Sequence, residues 1–214
     1  MKASSTDHPL ANLLDPGASA WAAVAATAVP LQGTLVGLQP TAAVRNAWQD
    51  RAIGAIRAVE ARALVAGDSL LFHLRWADPA PNRDHGDNTV FPDAAAIALP
   101  LHADAPLNTM GAPGLPLTAW FWRADQGTQG YEVRAEGPGT TRITGRGVQA
   151  RAAWHDGAWQ LVLARTLAGE GNADSIALAA GQPTRFGVAV WEGSHQERGG
   201  LKAFSGEWRE LLLA

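Results

Sequence analysis

The stretch VQARAAWHDGAWQLVLAR, residues 148–165, decides the fold class. Val148–Trp154 and Trp159–Arg165 largely alternate apolar with polar side chains, and His155–Ala158 separates them. The Asp-Gly pair inside this separator favours a tight turn, because glycine adopts positive φ without steric cost. The stretch therefore predicts a β-hairpin.

The same two-residue periodicity recurs earlier in the chain. Leu70, Phe72, Leu74 and Trp76 alternate with other side chains, which predicts a half-buried strand. Ala66-Gly67-Asp68 is a turn signal, and a weaker strand pattern over 58–65 comes before it. We therefore predict a second hairpin over 58–76.

Strand patterns also fill most of the remaining chain. They are predicted at Ala95–Leu101, Leu117–Arg123, Tyr131–Ala135, Arg185–Trp191 and Glu207–Leu213. Many strands, turns rich in glycine and aspartate, and little helical periodicity indicate a mainly β protein, an antiparallel β-sandwich with a few short helices. No stretch has the composition of a linker, so residues 1–214 are predicted to form a single domain.

The N-terminal region carries the clearest helix signal. Asp15 followed by Pro16 fits an N-cap and a first helical position, so a short helix is predicted over Ala18–Ala25. The polar segment Pro79–Pro92 is predicted to be a long loop, and loops of that length often carry function or line an interface.

Charge and composition exclude several classes of function. The net charge of −3 and the lack of a Lys/Arg cluster argue against a nucleic-acid partner. The lack of cysteine removes disulfides, iron–sulfur clusters and thiolate zinc sites. No apolar run is long enough for a membrane span, and no signal peptide is visible.

Motifs for hydrolysis or metal binding are weak. The histidines show no metal-ligand spacing, and no GxSxG sequence occurs. Pairs of acidic residues leave glycoside hydrolysis open without supporting it. The nine tryptophans fit either core packing or stacking on a flat ligand, a sugar or a macrocycle. Taken alone, Met110 and Lys202 look like an ordinary methionine and an ordinary lysine.

Five stretches, in order, carry a resemblance to a known family. They are LRWAD at 74–78, FPDAAA at 91–96, TMG at 109–111 with AWFWRA at 119–124, DGAW at 156–159, and FGVAVWEG at 186–193 continuing through ERGG at 197–200 to Lys202 and SGE at 205–207. The chain resembles the heme b (gamma) subunit of type II dimethyl sulfoxide reductase family molybdoenzymes, most of all that of ethylbenzene dehydrogenase.

The resemblance implies a β-sandwich and an iron site. The methionine and lysine that bind heme b iron in this family fall on Met110 and Lys202. Four aromatic residues near them in sequence are candidates for contact with the porphyrin: Trp120, Trp122, Trp191 and Phe204. The resemblance also implies that this chain has no catalytic residues of its own.

The resemblance further implies a heterotrimer that works in the periplasm. A molybdopterin-containing alpha subunit and an iron–sulfur beta subunit would be the partners, and a soluble carrier such as cytochrome c would exchange electrons with this chain. Export alongside a signal-bearing partner fits the lack of a visible signal peptide. A carbohydrate-binding β-sandwich module without heme, a sandwich-class hydrolase and a stand-alone b-type cytochrome domain are the alternatives.

Overall fold

The computed structural model describes all of residues 1–214 and is built mainly of strands. The strands are β1 (Lys2–Thr6), β2 (Thr27–Pro30), β3 (Gln32–Gly33), β4 (Ala58–Ala66), β5 (Ser69–Ala77), β6 (Ala94–Pro100), β7 (Leu117–Arg123), β8 (Gly130–Ala135), β9 (Arg142–Gly145), β10 (Gln149–His155), β11 (Ala158–Thr166), β12 (Pro183–Trp191), β13 (Ala203–Phe204) and β14 (Arg209–Leu213). The α-helices are α1 (Leu10–Leu13) and α2 (Ala42–Trp48), and short 3-10 helices span Ser19–Ala23, Val36–Leu38 and Ala124–Gln126.

The strands form one continuous hydrogen-bonded path that folds over into two layers. Its order is β10-β11-β5-β4-β1-β14-β12-β6-β7-β8-β9, with β2, β3 and β13 attached at its sides. Phe72 on β5 meets Trp120 on β7 at 5.7 Å between ring centroids, and Trp159 on β11 meets Trp122 at 5.2 Å. These contacts lie in the main core between the layers. The predicted β-sandwich is confirmed.

The hairpin predicted from residues 148–165 is confirmed. Strands β10 and β11 pair antiparallel from Gln149–Ala164 to His155–Ala158, which leaves Asp156 and Gly157 as the turn. Both turn residues have positive φ, 51° and 72°. A two-residue turn of this kind matches the twist of the flanking strands.

The N-terminal region differs from the prediction. Residues 19–23 form a 3-10 helix, the predicted α-helix over 18–25 is absent, and Asp15 accepts a hydrogen bond from Gly17 N. The indole of Trp21 donates to Leu13 O, so this segment is fixed by the burial of one tryptophan. Strand β1 was not predicted, and it pairs parallel with both β4 and β14, whereas the other pairings are antiparallel.

None of the helices is long and apolar enough to cross a lipid bilayer. The predicted loop over 79–92 contains no helix or strand and packs at the ends of β5, β6 and β12. This loop and the segment that follows β12 border the side of the molecule on which the candidate site lies.

Candidate functional site

A cavity of about 680 Å³ lies on the outer face of the layer formed by β6, β7, β8 and β12. Its floor is made of small side chains: Ala94, Ala96 and Ala98 on β6, and Ala119 on β7. Because side chains alternate along a strand, their neighbours Ala95 and Ile97 point into the main core instead. The run of alanines thus leaves space above the sheet for a flat group.

Met110 enters this cavity from the loop between β6 and β7. Its own φ is 57°, and the following Gly111 has φ 84°. The loop is fixed by backbone hydrogen bonds, from Met110 N to Leu107 O at 3.0 Å and from Gly111 N to Pro106 O at 2.8 Å. Thr109 Oγ1 also donates to Gly111 O at 2.9 Å. The half-buried Met110 side chain is therefore presented by a tightly bonded loop.

Lys202 enters the cavity from a different segment, directly before β13. Its segment is held by residues from the N-terminal third of the chain. Thr34 Oγ1 donates to Gly200 O at 2.7 Å, and Gln39 Nε2 donates to the same oxygen at 3.1 Å. Thr34 N donates to Lys202 O at 3.0 Å. These bonds orient Lys202, which is only 4% exposed.

The two side chains meet in the cavity. Lys202 Nζ lies 2.9 Å from Met110 Sδ, and it lies 5.5 Å from the centroid of the Trp191 ring. No carboxylate forms an ion pair with Lys202. Burial lowers the pKa of Lys202 to about 8, since an apolar environment disfavours the charged amine. The arrangement brings together a soft thioether sulfur and an amine nitrogen, which can act as a donor to a metal once it has lost its proton.

The aromatic residues near the donors divide between two environments. Trp191 and Phe204 line the cavity. Trp120 and Trp122 do not line it; both lie in the main core. They are two residues apart on β7, so they share one face, while Ala119 and Phe121 occupy the cavity face.

The remaining wall comes from the long loop and from the segment after β12. His85, Phe91 and Pro92 contribute on one side, and Arg198 stacks over Phe91 with its Cζ 4.2 Å from the ring centroid. Arg123 and Arg142 also line the cavity, but each is paired with an aspartate. Arg198 has no carboxylate partner and is exposed.

Sequence reasoning missed the residues that position the donors. Thr34 and Gln39 hold the Lys202 segment from more than 160 positions away, and no local pattern marks them. The alanine floor had a visible signal, the run Ala94-Ala95-Ala96 in a strand otherwise rich in larger apolar residues. Small side chains at alternate strand positions indicate that another group approaches the sheet there.

The sequence model of the ethylbenzene dehydrogenase family matches residues 18–142 and 136–203. The chain belongs to the ethylbenzene dehydrogenase family. Both Met110 and Lys202 fall within the part of this family member that the matches cover.

Two relatives of this ethylbenzene dehydrogenase family member are named as subunits of reductases. A Haloferax mediterranei protein, provisionally named a respiratory nitrate reductase heme subunit, is 35% identical over 195 residues, which is 90% of this chain and 66% of the relative. The gamma subunit of chlorate reductase from Ideonella dechloratans is 34% identical over 160 residues, covering 73% of this chain and 65% of the relative. The chain thus spans just under two thirds of the length of these relatives.

Among solved structures, this ethylbenzene dehydrogenase family member is similar to a family 9 carbohydrate-binding module from Caldicellulosiruptor kristjanssonii, solved with glucose. The TM-score is 0.54 and the identity 10%, over 100% of this chain and 95% of the module. At that identity the likeness concerns the fold alone.

Proposed function

We propose that this chain is a heme b-binding electron-transfer subunit in which Met110 Sδ and Lys202 Nζ are the axial iron ligands. The observation that carries the proposal is the meeting of these two atoms at 2.9 Å inside an apolar cavity, from loops 92 positions apart. A buried lysine with no carboxylate partner is costly unless another group uses its nitrogen. Iron would be such a group.

The cavity suits a flat, largely apolar cofactor. Its volume of about 680 Å³ falls within the range of about 300–1,000 Å³ that is typical for cofactor pockets. The alanine floor leaves a flat surface, and Trp191 and Phe204 offer aromatic contact. Arg198 stands at the wall without a carboxylate partner and would bind a propionate of the heme by a charge-assisted hydrogen bond.

The protonation of Lys202 is compatible with ligation. Only a neutral amine binds iron, and a pKa of about 8 leaves roughly one tenth of the amine neutral at pH 7. An exposed lysine with a pKa of about 10.4 would have far less than one hundredth neutral. Burial therefore supplies most of the free energy that is needed to deprotonate the amine, and metal binding supplies the rest.

Both donors have to move apart to hold an ion between them. Each donor would form a coordination bond of roughly 2 Å to the metal, so an ion held by both would need more room than the two atoms now leave between them. The distance between Lys202 Nζ and Met110 Sδ is 2.9 Å. Rotation about the flexible bonds of either side chain supplies that change, because neither methionine nor lysine is branched.

A heme with two protein ligands supplies one-electron transfer and has no open position for a substrate. The chain's own residues then set its properties. The neutral thioether and amine favour the reduced iron, and the apolar cavity excludes water. We therefore infer a non-catalytic subunit, which passes electrons and leaves the substrate chemistry to another chain.

The assembly proposed for this chain follows from its relatives' names and from the family resemblance. We propose a complex with a molybdopterin-containing alpha subunit and an iron–sulfur beta subunit. Electrons would pass between that complex and a soluble carrier such as cytochrome c, in the periplasm. The gamma-subunit name of the Ideonella dechloratans relative supports this assembly. Purification of a tagged chain from its host, with the co-purifying subunits identified, tests it.

Visible spectroscopy tests the heme and its ligands. The full chain is purified from heme-replete cells and measured oxidised and dithionite-reduced, together with Met110→Ala, Lys202→Ala and the control Lys2→Ala. Lys2 is exposed on β1 and does not line the cavity. We expect a low-spin b-type spectrum that changes in both cavity variants and not in Lys2→Ala.

Two outcomes would contradict the proposal. A colourless wild-type protein would show that the chain binds no heme, and it would favour the carbohydrate-binding hypothesis. An unchanged spectrum in Met110→Ala or Lys202→Ala would retain the heme and show that the unaffected residue is not a ligand.

A further inference from the structure

Three acidic side chains converge at the strand ends beside the long loop. Asp78 directly follows β5, Asp93 directly precedes β6 and Glu192 directly follows β12. They are 1%, 0% and 6% exposed. One oxygen from each lies within 4.8 Å of the others. This acidic cluster is separate from the Met110–Lys202 pair and has no part in the function proposed above.

The acidic cluster has no countercharge. None of its carboxylates forms an ion pair with lysine, arginine or histidine. Arg83 comes near, with its Cζ 5.5 Å from the centroid of the Trp159 ring, but it stacks on the indole. Burial and the Asp93 charge raise the pKa of Asp78 to about 7, and burial raises the pKa of Asp93. Close, buried, like charges without a partner are strongly unfavourable.

The hydrogen bonds within the acidic cluster come from neutral groups. Asp93 accepts from the backbone N of Asn82 at 2.7 Å, from the Trp159 indole at 3.0 Å and from Gly193 N at 2.9 Å. Glu192 accepts from Ser194 Oγ at 2.7 Å, from Ser194 N at 3.1 Å and from His195 N at 2.8 Å. A carboxylate offers about four acceptor sites, and the fourth site of Asp93 and of Glu192 is used only by long contacts from Asn82 Nδ2, at 3.5 and 3.3 Å. A cation would therefore have to displace the Asn82 amide to bind these two carboxylates.

One oxygen of the acidic cluster lacks a well-formed hydrogen bond, although a weak contact with the Trp76 indole offsets part of the rise in the pKa of Asp78 that burial causes. Asp78 Oδ2 is buried and has no hydrogen-bond partner, whereas Asp78 Oδ1 accepts from Ala80 N at 3.1 Å. Asp78 is the least hydrogen-bonded of the three residues. A buried acceptor without a partner is unfavourable, and a positively charged ligand would offset this cost.

We propose that Asp78, Asp93 and Glu192 bind a calcium ion. Calcium takes six to eight oxygen ligands at about 2.3–2.6 Å. Two ligands on opposite sides of such an ion are about 4.6–5.2 Å apart, and the oxygens of the acidic cluster lie within 4.8 Å of one another. An all-oxygen ligand set does not suit zinc, which prefers nitrogen and sulfur. Three anionic ligands in a dry site also suit calcium better than magnesium, which retains several waters.

The ion would tie the long loop to the strand ends. Asn82 sits in the loop and bonds to Asp93 through its backbone N, and Phe91 N donates to Gly193 O at 3.2 Å. Residues from the same loop, His85, Phe91 and Pro92, form one wall of the cavity. Neutralising the acidic cluster therefore stabilises a cavity wall without adding a ligand to the cavity itself.

Calcium titration of the full chain tests this proposal, with whatever cofactor the chain carries left in place. After treatment with EDTA and removal of the chelator, calorimetry with CaCl2 is expected to give one site. The melting temperature should rise by roughly 5 °C or more at a calcium concentration about 100 times the Kd. MgCl2 at the same concentration should raise it far less.

Two variants make the result specific. Asp78→Asn keeps an oxygen that can accept from Ala80 N and removes one charge, so it is expected to fold and to lose at least tenfold in calcium affinity. Glu192→Gln is a second variant of the same kind. Asp84→Asn, at an exposed position in the same loop, should bind calcium like the wild type.

The contrary results are equally clear. A wild-type chain that binds no calcium at millimolar concentration, with a melting temperature insensitive to EDTA and calcium, would overturn the proposal. The acidic cluster would then be neutralised by protons, and lowering the pH from 8 to 6 would stabilise the wild type more than Asp78→Asn. A calcium response of the same size in Asp78→Asn and Glu192→Gln as in the wild type would also overturn it, since the ion would then bind elsewhere.

Discussion

Gly111 lies against the backbone of Ala135, and this contact fixes the loop that presents Met110. A Cβ added to Gly111 would meet Ala135 O at 2.8 Å and Leu115 O at 2.9 Å. The residue also has φ 84°, a conformation that side chains with a Cβ rarely adopt. The position of the Met110 thioether thus depends on its neighbour having no side chain.

Gly111→Ala is therefore expected to destabilise the chain by about 1–3 kcal/mol and to alter the heme spectrum. Gly114→Ala in the same loop is the matched control. Gly114 has φ 75°, but nothing lies within 4 Å of an added Cβ. Its substitution should cost about 1 kcal/mol and leave the spectrum unchanged. Urea unfolding measures the loss of stability in both variants, and visible spectra measure the change at the heme. Equal spectral changes in the two variants would show that the Ala135 contact does not position Met110.

Neighbouring alanines on β6 face opposite sides, which allows cavity and core to be tested separately. Ala96 lines the cavity, whereas Ala95 lies in the main core. Ala96→Leu should block heme binding with less than about 1 kcal/mol of lost stability, because it fills open space. Ala95→Leu should overpack the core and cost about 1–3 kcal/mol. The heme-to-protein ratio and the urea midpoint are the measurements, and full heme content in Ala96→Leu would place the cofactor elsewhere.

His73 predicts how stability depends on pH in acid. Burial lowers the pKa of His73, the Pro16 carbonyl lies 3.1 Å from Nε2, and the Trp21 ring lies 5.1 Å away between centroids. Because the folded pKa lies below the unfolded value of about 6.5, the unfolded chain binds more protons, and stability is lost as the pH falls below about 6.5.

The His73→Gln variant tests this prediction through the slope of stability against pH. Between about pH 6.5 and pH 5 the free energy of unfolding should fall less steeply in His73→Gln than in the wild type. His155→Gln, at the exposed end of β10, is the control and should keep the wild-type slope. Parallel slopes for all three proteins would show that His73 is not the group responsible.

The strands were predictable from sequence wherever only one face is buried, because apolar and polar side chains then alternate along the strand. Strand β1 shows no such alternation, because its sequence KASST is mostly polar. Its partners β4 and β14 also lie far along the chain. On β7 both faces carry apolar residues, Trp120 and Trp122 on one and Ala119 and Phe121 on the other. Periodicity alone could not tell which of these faces meets the core.

The donors of the candidate site came from the family resemblance, and their surroundings came only from the fold. Lys202 looks like an exposed lysine until Thr34 and Gln39 are brought against its segment. The acidic cluster also becomes visible only in the fold, because Asp78, Asp93 and Glu192 each lie next to the end of a different strand. Long-range pairing of β5, β6 and β12 brings them together, and no spacing in the sequence encodes that distance.

A buried ion pair provides the last test. The guanidinium of Arg165 bonds to the carboxylate of Glu132, and both side chains are almost fully buried. Thr118 Oγ1 and Ser175 Oγ also donate to Glu132, at 3.2 and 2.8 Å. Because removal of Arg165 leaves this carboxylate buried without a countercharge, Arg165→Met is expected to cost about 3–5 kcal/mol.

The double variant Arg165→Met/Glu132→Met should be more stable than Arg165→Met alone, since no unpaired charge remains in the interior. The exposed pair of Arg75 and Glu60, 3.8 Å apart, is the control, and Arg75→Met should cost less than about 1 kcal/mol. A double-mutant cycle measured by urea unfolding gives the coupling between Arg165 and Glu132. If Arg165→Met lost no more stability than Arg75→Met, the buried pair would contribute no more than an exposed pair, and the prediction would be wrong.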